Sequence, residues 1–189
     1  MPGGGRRDSG PPLAPSASSG PEAHRIVHCR PAWVPATVRF TFHAARRKID
    51  RMSIEGIEIG WRLPVADAEI VELTRAHGGE ASPGWWDRVS SHSLGWVVAR
   101  DPSGLLVGFV NVAWDGGDHA FLIDTKTRPS HQHRGLGTAV VRCAVDHARA
   151  AGCEWLFVDF EPQLEAFYLE SCGFRPTPAG LIHLPDAEL

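Results

Sequence analysis

The sequence predicts an α/β fold, a mixed sheet flanked by helices in the order β-α-α-β-β-β-α-β-α-β. Three observations predict it. Short apolar runs, some with the two-residue alternation of half-buried strands, recur between Ile57 and Phe160. One longer segment, Gly135 to Ala151, carries an apolar stripe at helical spacing. Glycine and proline clusters punctuate these segments where short connections belong. The 189 residues are 43% hydrophobic and 22% charged, enough apolar material to close one core.

The elements are expected from residue 54 onward. Residues 1–53 read as a disordered, basic, Pro/Gly/Ser-rich N-terminal extension, and residues 54–189 as the folded domain. Up to Met52 the chain holds nine Lys/Arg against three Asp/Glu, and beyond it ten against nineteen. Seven of the fifteen prolines precede Ala36. Such a segment buries too little apolar surface to offset its ordering entropy. Arg6-Arg7 is not followed by the apolar stretch of an export signal. Met52 opens normal globular texture, so a native start at Met52 is one expectation, and a basic tail that meets acidic partners is the other.

Ile57 to Leu63 alternates as a half-buried strand does. Asp67 to Ala76 has Ile70, Val71 and Leu73 at helical spacing and stops at Gly78-Gly79. Gly84 to Ser91 is long enough for a short second helix. Gly95 to Arg100 and Leu105 to Trp114 are strand-like, joined by an Asp101-Pro102-Ser103-Gly104 turn. His119 to Thr127 is the next strand, after the Gly116-Gly117 turn. In the helix from Gly135, Leu136, Val140, Val141, Ala144, Val145 and Ala148 share one face opposite Arg142, Asp146 and Arg149. Glu154 to Phe160 reads as a buried strand, Pro162 opens a last helix ending at Cys172-Gly173, and Leu181 to Leu184 reads as a closing strand.

Composition narrows the function. The longest apolar run, Leu105 to Trp114, is half a membrane span, so no membrane partner is expected, and the cysteines read as reduced thiols of a cytoplasmic protein. A net charge of −3 argues against a protein built to grip nucleic-acid phosphates. Cys29, Cys143, Cys153 and Cys172 show no Cys-x-x-Cys spacing, so neither a zinc ribbon nor a redox pair follows from them. His131-x-His133 lacks a companion at ligand spacing, and no metal is expected.

The chemistry points to Asp124 to Val141, a strand, a proline break, a glycine loop and a helix. Gly135 and Gly137 strip side chains from a helix entrance, where backbone N–H groups and the helix dipole converge on an anion. A phosphate-bearing ligand is implied. No Gly-Lys-Ser/Thr follows, and Val140 stands where a dinucleotide fingerprint needs its third glycine.

Gln132-His133-Arg134-Gly135-Leu136-Gly137 resembles the Gln/Arg-x-x-Gly-x-Gly/Ala signature of the GNAT acetyltransferase superfamily, with Pro129 three residues before the Gln. Phe167-Tyr168-Leu169-Glu170-Ser171-Cys172-Gly173-Phe174 is similar to the family's Tyr-x-x-x-x-Gly-Phe ending. The resemblance covers residues 57–184 in element order and is specific at 129–138 and 167–174. It implies a mostly antiparallel central sheet and acetyl-CoA as co-substrate. It also implies that the pyrophosphate lies on the amides of His133, Arg134, Gly135, Leu136, Gly137 and Thr138, with Gln132 the first residue of the cofactor-binding motif. The pantetheine arm would run along Thr125, Lys126 and Thr127 as an added strand. Two threonines replace the usual aliphatics there, and Glu161 stands where many members carry an Asn.

In that setting Tyr168, the sole tyrosine, is the expected acid: a phenol near pKa 10 can protonate a departing thiolate of pKa about 8.5. An alkyl amine near pKa 10.4 must lose a proton to attack, and Asp124 is the first candidate to take it, Glu161 the second. Both also read as solvated or helix-capping carboxylates, and Tyr168 as a core aromatic. An acyl-cysteine on Cys172 has no His placed to activate it. Trp85-Trp86-Asp87 reads either as an acceptor-site wall or as a loop anchored on the core. The expected function is N-acetylation of a primary amine, with a small-molecule acceptor as partner and a homodimer compatible with the fold. Acetylation of a protein lysine or N-terminus, and a non-catalytic acyl-CoA-binding domain, are the alternatives.

Overall fold

The computed structural model describes residues 51–184; the expectations for the N-terminal extension therefore fall almost wholly outside the described residues. Six strands form one sheet in sequential order: β1 (Arg51–Ile54), β2 (Ile57–Trp61), β3 (Ser93–Arg100), β4 (Leu106–Trp114), β5 (His119–Thr127) and β6 (Trp155–Val158). The first five run antiparallel to their neighbours and β6 runs parallel to β5, so the sheet is mixed. Helices α1 (Asp67–His77) and α2 (Trp85–Val89) cover one face, and α3 (Leu136–Ala150) covers the other.

The alternation of strand side chains sorts the core into two layers. Val98, Leu106 and Phe109 meet Ile70 and Leu73 of α1 and Trp86 of α2. Val97, Ala99, Val107, Val110 and Val112 meet Leu136, Val140, Val141 and Ala144 of α3. Each helix is ended by its sequence: Gly78 takes φ 98° as the left-handed cap of α1, and the Asp67 carboxylate accepts the N–H groups of Gly84 (2.7 Å) and Trp86 (2.8 Å) at the start of α2. Asp67 thereby ties the two helices together.

The structure corrects the expected order at its two ends. β1 precedes the expected first strand, turning at Glu55 (φ 49°) and Gly56 (φ 82°) into β2. Two positive φ values make a tight hairpin turn of the kind that matches strand twist. The closing strand over Leu181 to Leu184 does not form: Leu181, Ile182 and Leu184 are exposed and pair with no strand. Three apolar residues in a short proline-flanked run do not pair unless a sheet edge meets them. The expected buried strand is shorter and lies at the sheet edge, with Trp155 and Phe157 exposed on its uncovered face. The last helix resolves into a 3₁₀ turn (Pro162–Leu164) and a π-helical turn (Ala166–Ser171).

Candidate active site

β5 does not stay paired along its length. Its partnership with β6 spans His119 to Leu122 and stops there, so among the described residues the edge from Ile123 to Thr127 is open. On its other side the ladder to β4 slips between Phe109 and Asn111, which pair with Lys126 and Ile123. Two residues on β5, Asp124 and Thr125, thus oppose one on β4, Val110, a β-bulge with Asp124 at φ 59°. Asp is among the residues that tolerate this region, and bulges re-aim side chains next to sites.

The open edge runs into the entrance of α3. The Arg128 N–H donates to Val107 O on β4 (2.8 Å), so by alternation the main-chain groups of Thr127 and Thr125 face the open side. The Thr127 carbonyl is taken, accepting from Gln132 Nε2 (3.1 Å) and lying 3.0 Å from His77 Nδ1. An added strand is left with the Thr127 N–H and the Thr125 N–H and C=O. Gln132 therefore pins the loop to β5 instead of projecting from it. Arg134 is likewise occupied, with Nη2 2.6 Å and Nε 3.1 Å from Glu55 Oε2.

Within the loop the His131 N–H donates to Arg128 O (2.8 Å) and the Gln132 N–H to Pro129 O (3.2 Å), so the donors left for a ligand begin after Gln132. His133 (φ 58°) and Gly135 (φ 78°) both adopt left-handed geometry, which curves successive amides into a concavity. Gly135 caps α3 with no side-chain hydrogen bond, and the first turn contains no acidic residue. The first i−4 bond of the helix is Ala139 N to Gly135 O (3.0 Å), so the amides of Gly135, Leu136, Gly137 and Thr138 have no intrahelical partner. Leu136 is buried and fixes the helix start in the core. Gly137 has a different reason to be glycine: a Cβ there would sit 3.2 Å from the Phe167 ring and 3.5 Å from Thr127 Oγ1.

Phe167 leads to Tyr168. The π-helical turn places the Tyr168 ring against Phe160 (4.9 Å, stacked), Phe167 (4.8 Å) and Phe174 (5.9 Å), leaving it 5% exposed. Burial pushes its phenol above the ordinary value, and the facing Thr125 hydroxyl opposes that shift. Thr125 Oγ1 is itself buried, without a hydrogen bond of normal geometry among the described residues. Burial also raises the Cys172 thiol, with the Thr138 hydroxyl opposing. A raised thiol is a poorer nucleophile at neutral pH.

The opposite face of β5 carries charge. Lys126, paired with Phe109, points toward α1 and α2. Its Nζ lies 2.9 Å from Asp124 Oδ1 and 5.4 Å from the centre of the Trp85 ring. Trp85 and Trp86 divide the two readings between them: Trp86 is buried edge-on to Trp96 (4.9 Å) and Phe109 (5.3 Å), and Trp85 lines the charged cluster. Asp87 is exposed. Glu161 is also exposed, beyond the end of β6. Its side chain caps nothing, while its carbonyl accepts the Leu164 N–H (2.8 Å). The structure thus gathers Asp124, Thr125, Lys126, Thr127 and residues 132–138 around one strand end, with Tyr168 on the α3 face, and leaves Glu161 outside this group. The bulge, Phe167 and Gln132's inward role were not legible. The one available signal was an Asp in a strand, a residue that sheets disfavour.

Comparison with known proteins agrees with this geometry. The family model "Acetyltransferase (GNAT) family" matches residues 66–174. Mycothiol acetyltransferase of Stackebrandtia nassauensis is 32% identical over 108 residues, 56% of this chain and 32% of that protein. Glucosamine 6-phosphate N-acetyltransferase 1 of Oryza sativa subsp. japonica is 49% identical over 41 residues, 22% of this chain and 24% of that protein. The chain thus spans about a third or less of the length of these curated relatives. Among solved structures, an acetyltransferase of Trypanosoma brucei superposes with a TM-score of 0.56 at 22% identity, covering 66% of this chain and 98% of that one. AAC(6')-Iy in complex with the bisubstrate analogue CoA-S-monomethyl-acetylneamine gives 0.55 at 16% identity, covering 67% and 96%. With its open strand edge, uncapped glycine-rich helix entrance and matched family model, the chain belongs to the GNAT acetyltransferase family.

Proposed function

We propose that the protein moves an acetyl group from acetyl-CoA to a primary amine of a small molecule by direct transfer. The observation that carries this reading is the junction of the open β5 edge with the uncapped start of α3. It offers strand-like main-chain partners for the pantetheine arm and, at its end, four amides for the pyrophosphate. Small-molecule acceptors are favoured by the relatives' names, which are acetyltransferases of mycothiol and of glucosamine 6-phosphate.

In this reading the two faces of β5 divide the proton transfers. The amine attacks the thioester carbonyl carbon, a C–N bond forms, and the C–S bond breaks as the tetrahedral intermediate collapses. Asp124 accepts the amine proton on the α1–α2 face, and Tyr168 donates a proton to the leaving thiolate on the α3 face. An alkyl amine is neutral in roughly one molecule per 10³–10⁴ at pH 7, so a positioned base matters. Lys126 Nζ, 2.9 Å from Asp124 Oδ1, holds that side chain in place at the bulge. Glu161 is the second candidate base and is separated from Asp124 by substitution of each to its amide.

The test is thiol release from acetyl-CoA across a panel of small amines, with lysine-bearing and free N-terminal peptides alongside. Turnover on small amines supports the reading. Turnover on peptides alone would favour a protein acetyltransferase. Acetyl-CoA binding without turnover on any acceptor would favour a sensing domain.

A further inference from the structure

Asn111 is the polar residue that neither the fold nor the proposed chemistry uses. It is fully buried in the middle of β4, and among the described residues neither Oδ1 nor Nδ2 has a hydrogen-bond partner. Every other large buried side chain of that strand is aliphatic or aromatic: Leu106, Val107, Phe109, Val110 and Val112. Buried carboxamides are almost always paired, because a lost bond to water is not otherwise replaced. A valine or leucine would serve the core better, so the strand keeps Asn111 against its own stability.

Its position says what it faces. Asn111 pairs with Trp96 on β3 and with Ile123 on β5, at the first level beyond the end of the β5–β6 pairing. It is two residues from Phe109 and so shares the α1–α2 face, the face of Lys126 and of its ion pair with Asp124. Ile123, its cross-strand neighbour and the residue before Asp124, is 43% exposed. Side chains so paired stand about 5 Å apart. The carboxamide therefore lies one side chain below the surface, beside the proposed base.

We propose that Asn111 forms an acceptor subsite that hydrogen-bonds a hydroxyl on the carbon next to the reactive amine. A carboxamide offers one donor group and one acceptor without charge, and a hydroxyl answers both. Rotation of Ile123 opens it to the bound ligand, and the bond missing in the free protein is made in the complex. The proposal rests on the N-acetyltransferase reading and names its acceptor class as vicinal amino alcohols.

The experiment compares the full chain with Asn111→Leu and, in case Leu overfills the site, Asn111→Val. The acceptors are trans-2-aminocyclohexanol and cyclohexylamine, which differ by one hydroxyl. Wild type is expected to favour the amino alcohol by about 10-fold or more in kcat/KM, because a site built for a hydroxyl is left unpaired by its analogue. In at least one variant the preference should vanish and the melting temperature rise, with acetyl-CoA affinity within about twofold of wild type. Loss of stability in both variants would overturn the proposal, since Asn111 would then be a satisfied structural group. So would a preference that survives substitution, or a wild type that binds acetyl-CoA yet shows no preference or turns over neither amine. Failure of wild type to bind acetyl-CoA would instead count against the proposed activity itself.

Discussion

Tyr168 is both a core aromatic and the proposed acid, and one substitution separates the two. Tyr168→Phe keeps the ring against Phe160, Phe167 and Phe174 and removes the hydroxyl. We expect kcat to fall roughly 10²-fold or more, with acetyl-CoA affinity and melting temperature little changed. Because burial raises the phenol's pKa, its contribution to stability is complete below about pH 10 and is lost as pH rises through the higher folded value. The Phe variant should lack that alkaline decline in thermal scans. The two loop glycines answer to different physics. Gly135→Ala meets open space but must hold φ 78°, a cost of about 1 kcal/mol, and should weaken acetyl-CoA binding alone. Gly137→Ala must move the Phe167 ring, which lies 4.8 Å from Tyr168, so it should lower kcat as well. Calorimetry and steady-state kinetics on the pair would show whether the two effects separate.

At the scale of elements, α1 is held to the sheet by Glu69, whose Oε2 accepts from Arg100 Nη2 (3.0 Å) and from the Ala66 N–H (2.8 Å). The Arg100 hydrogen bond is the main reason the Glu69 carboxyl titrates below its ordinary value. Its stabilisation is therefore present above the ordinary carboxylate pKa of about 4.3 and is lost as pH falls through the lower folded value. The melting-temperature gap between wild type and Glu69→Gln should be constant from neutral pH to about pH 5 and close below it. Elements of this kind were largely legible in the sequence. The helices at Asp67 and Gly135 and the strands from Ile57 to Thr127 announce themselves by period and by glycine stops. β1 does not, because Arg51–Ile54 is largely exposed and its four residues are too short a run to establish a period, and its turn uses Glu55 where Asn or Asp is the familiar signal. Leu181 to Leu184 misleads for the converse reason: a strand pattern needs a partner edge as well as a composition. The glycine-rich entrance of α3 was readable because the positive φ of Gly135 and the close approach of Phe167 to Gly137 favour glycine, whereas the bulge at Asp124 depends on a ladder slip that no local pattern encodes.

For the molecule as a whole, β5 is where the two helical layers communicate. Thr125 faces Tyr168 on one side, and Asp124 and Lys126 face Trp85 on the other. The strand's last carbonyl, on Thr127, joins α1 through His77 to the loop before α3 through Gln132. This arrangement predicts that binding and chemistry can be damaged separately along one strand. Gln132→Leu removes one of the two side-chain contacts to the Thr127 carbonyl. The contact with His77 remains, so the fold should lose only about 0.5–1.5 kcal/mol. The loop from Arg128 to Gly135 would then be less firmly placed against β5, and the amides at the start of α3 would have to be ordered by the ligand. That ordering cost falls on the bound state and the transition state alike, which is the signature of lost uniform binding. We expect KM for acetyl-CoA to rise about 10-fold with kcat nearly unchanged, the reverse of Tyr168→Phe. If Gln132→Leu lowers kcat as Tyr168→Phe does while leaving KM alone, then Gln132 acts on the chemistry directly and the division of labour along β5 fails.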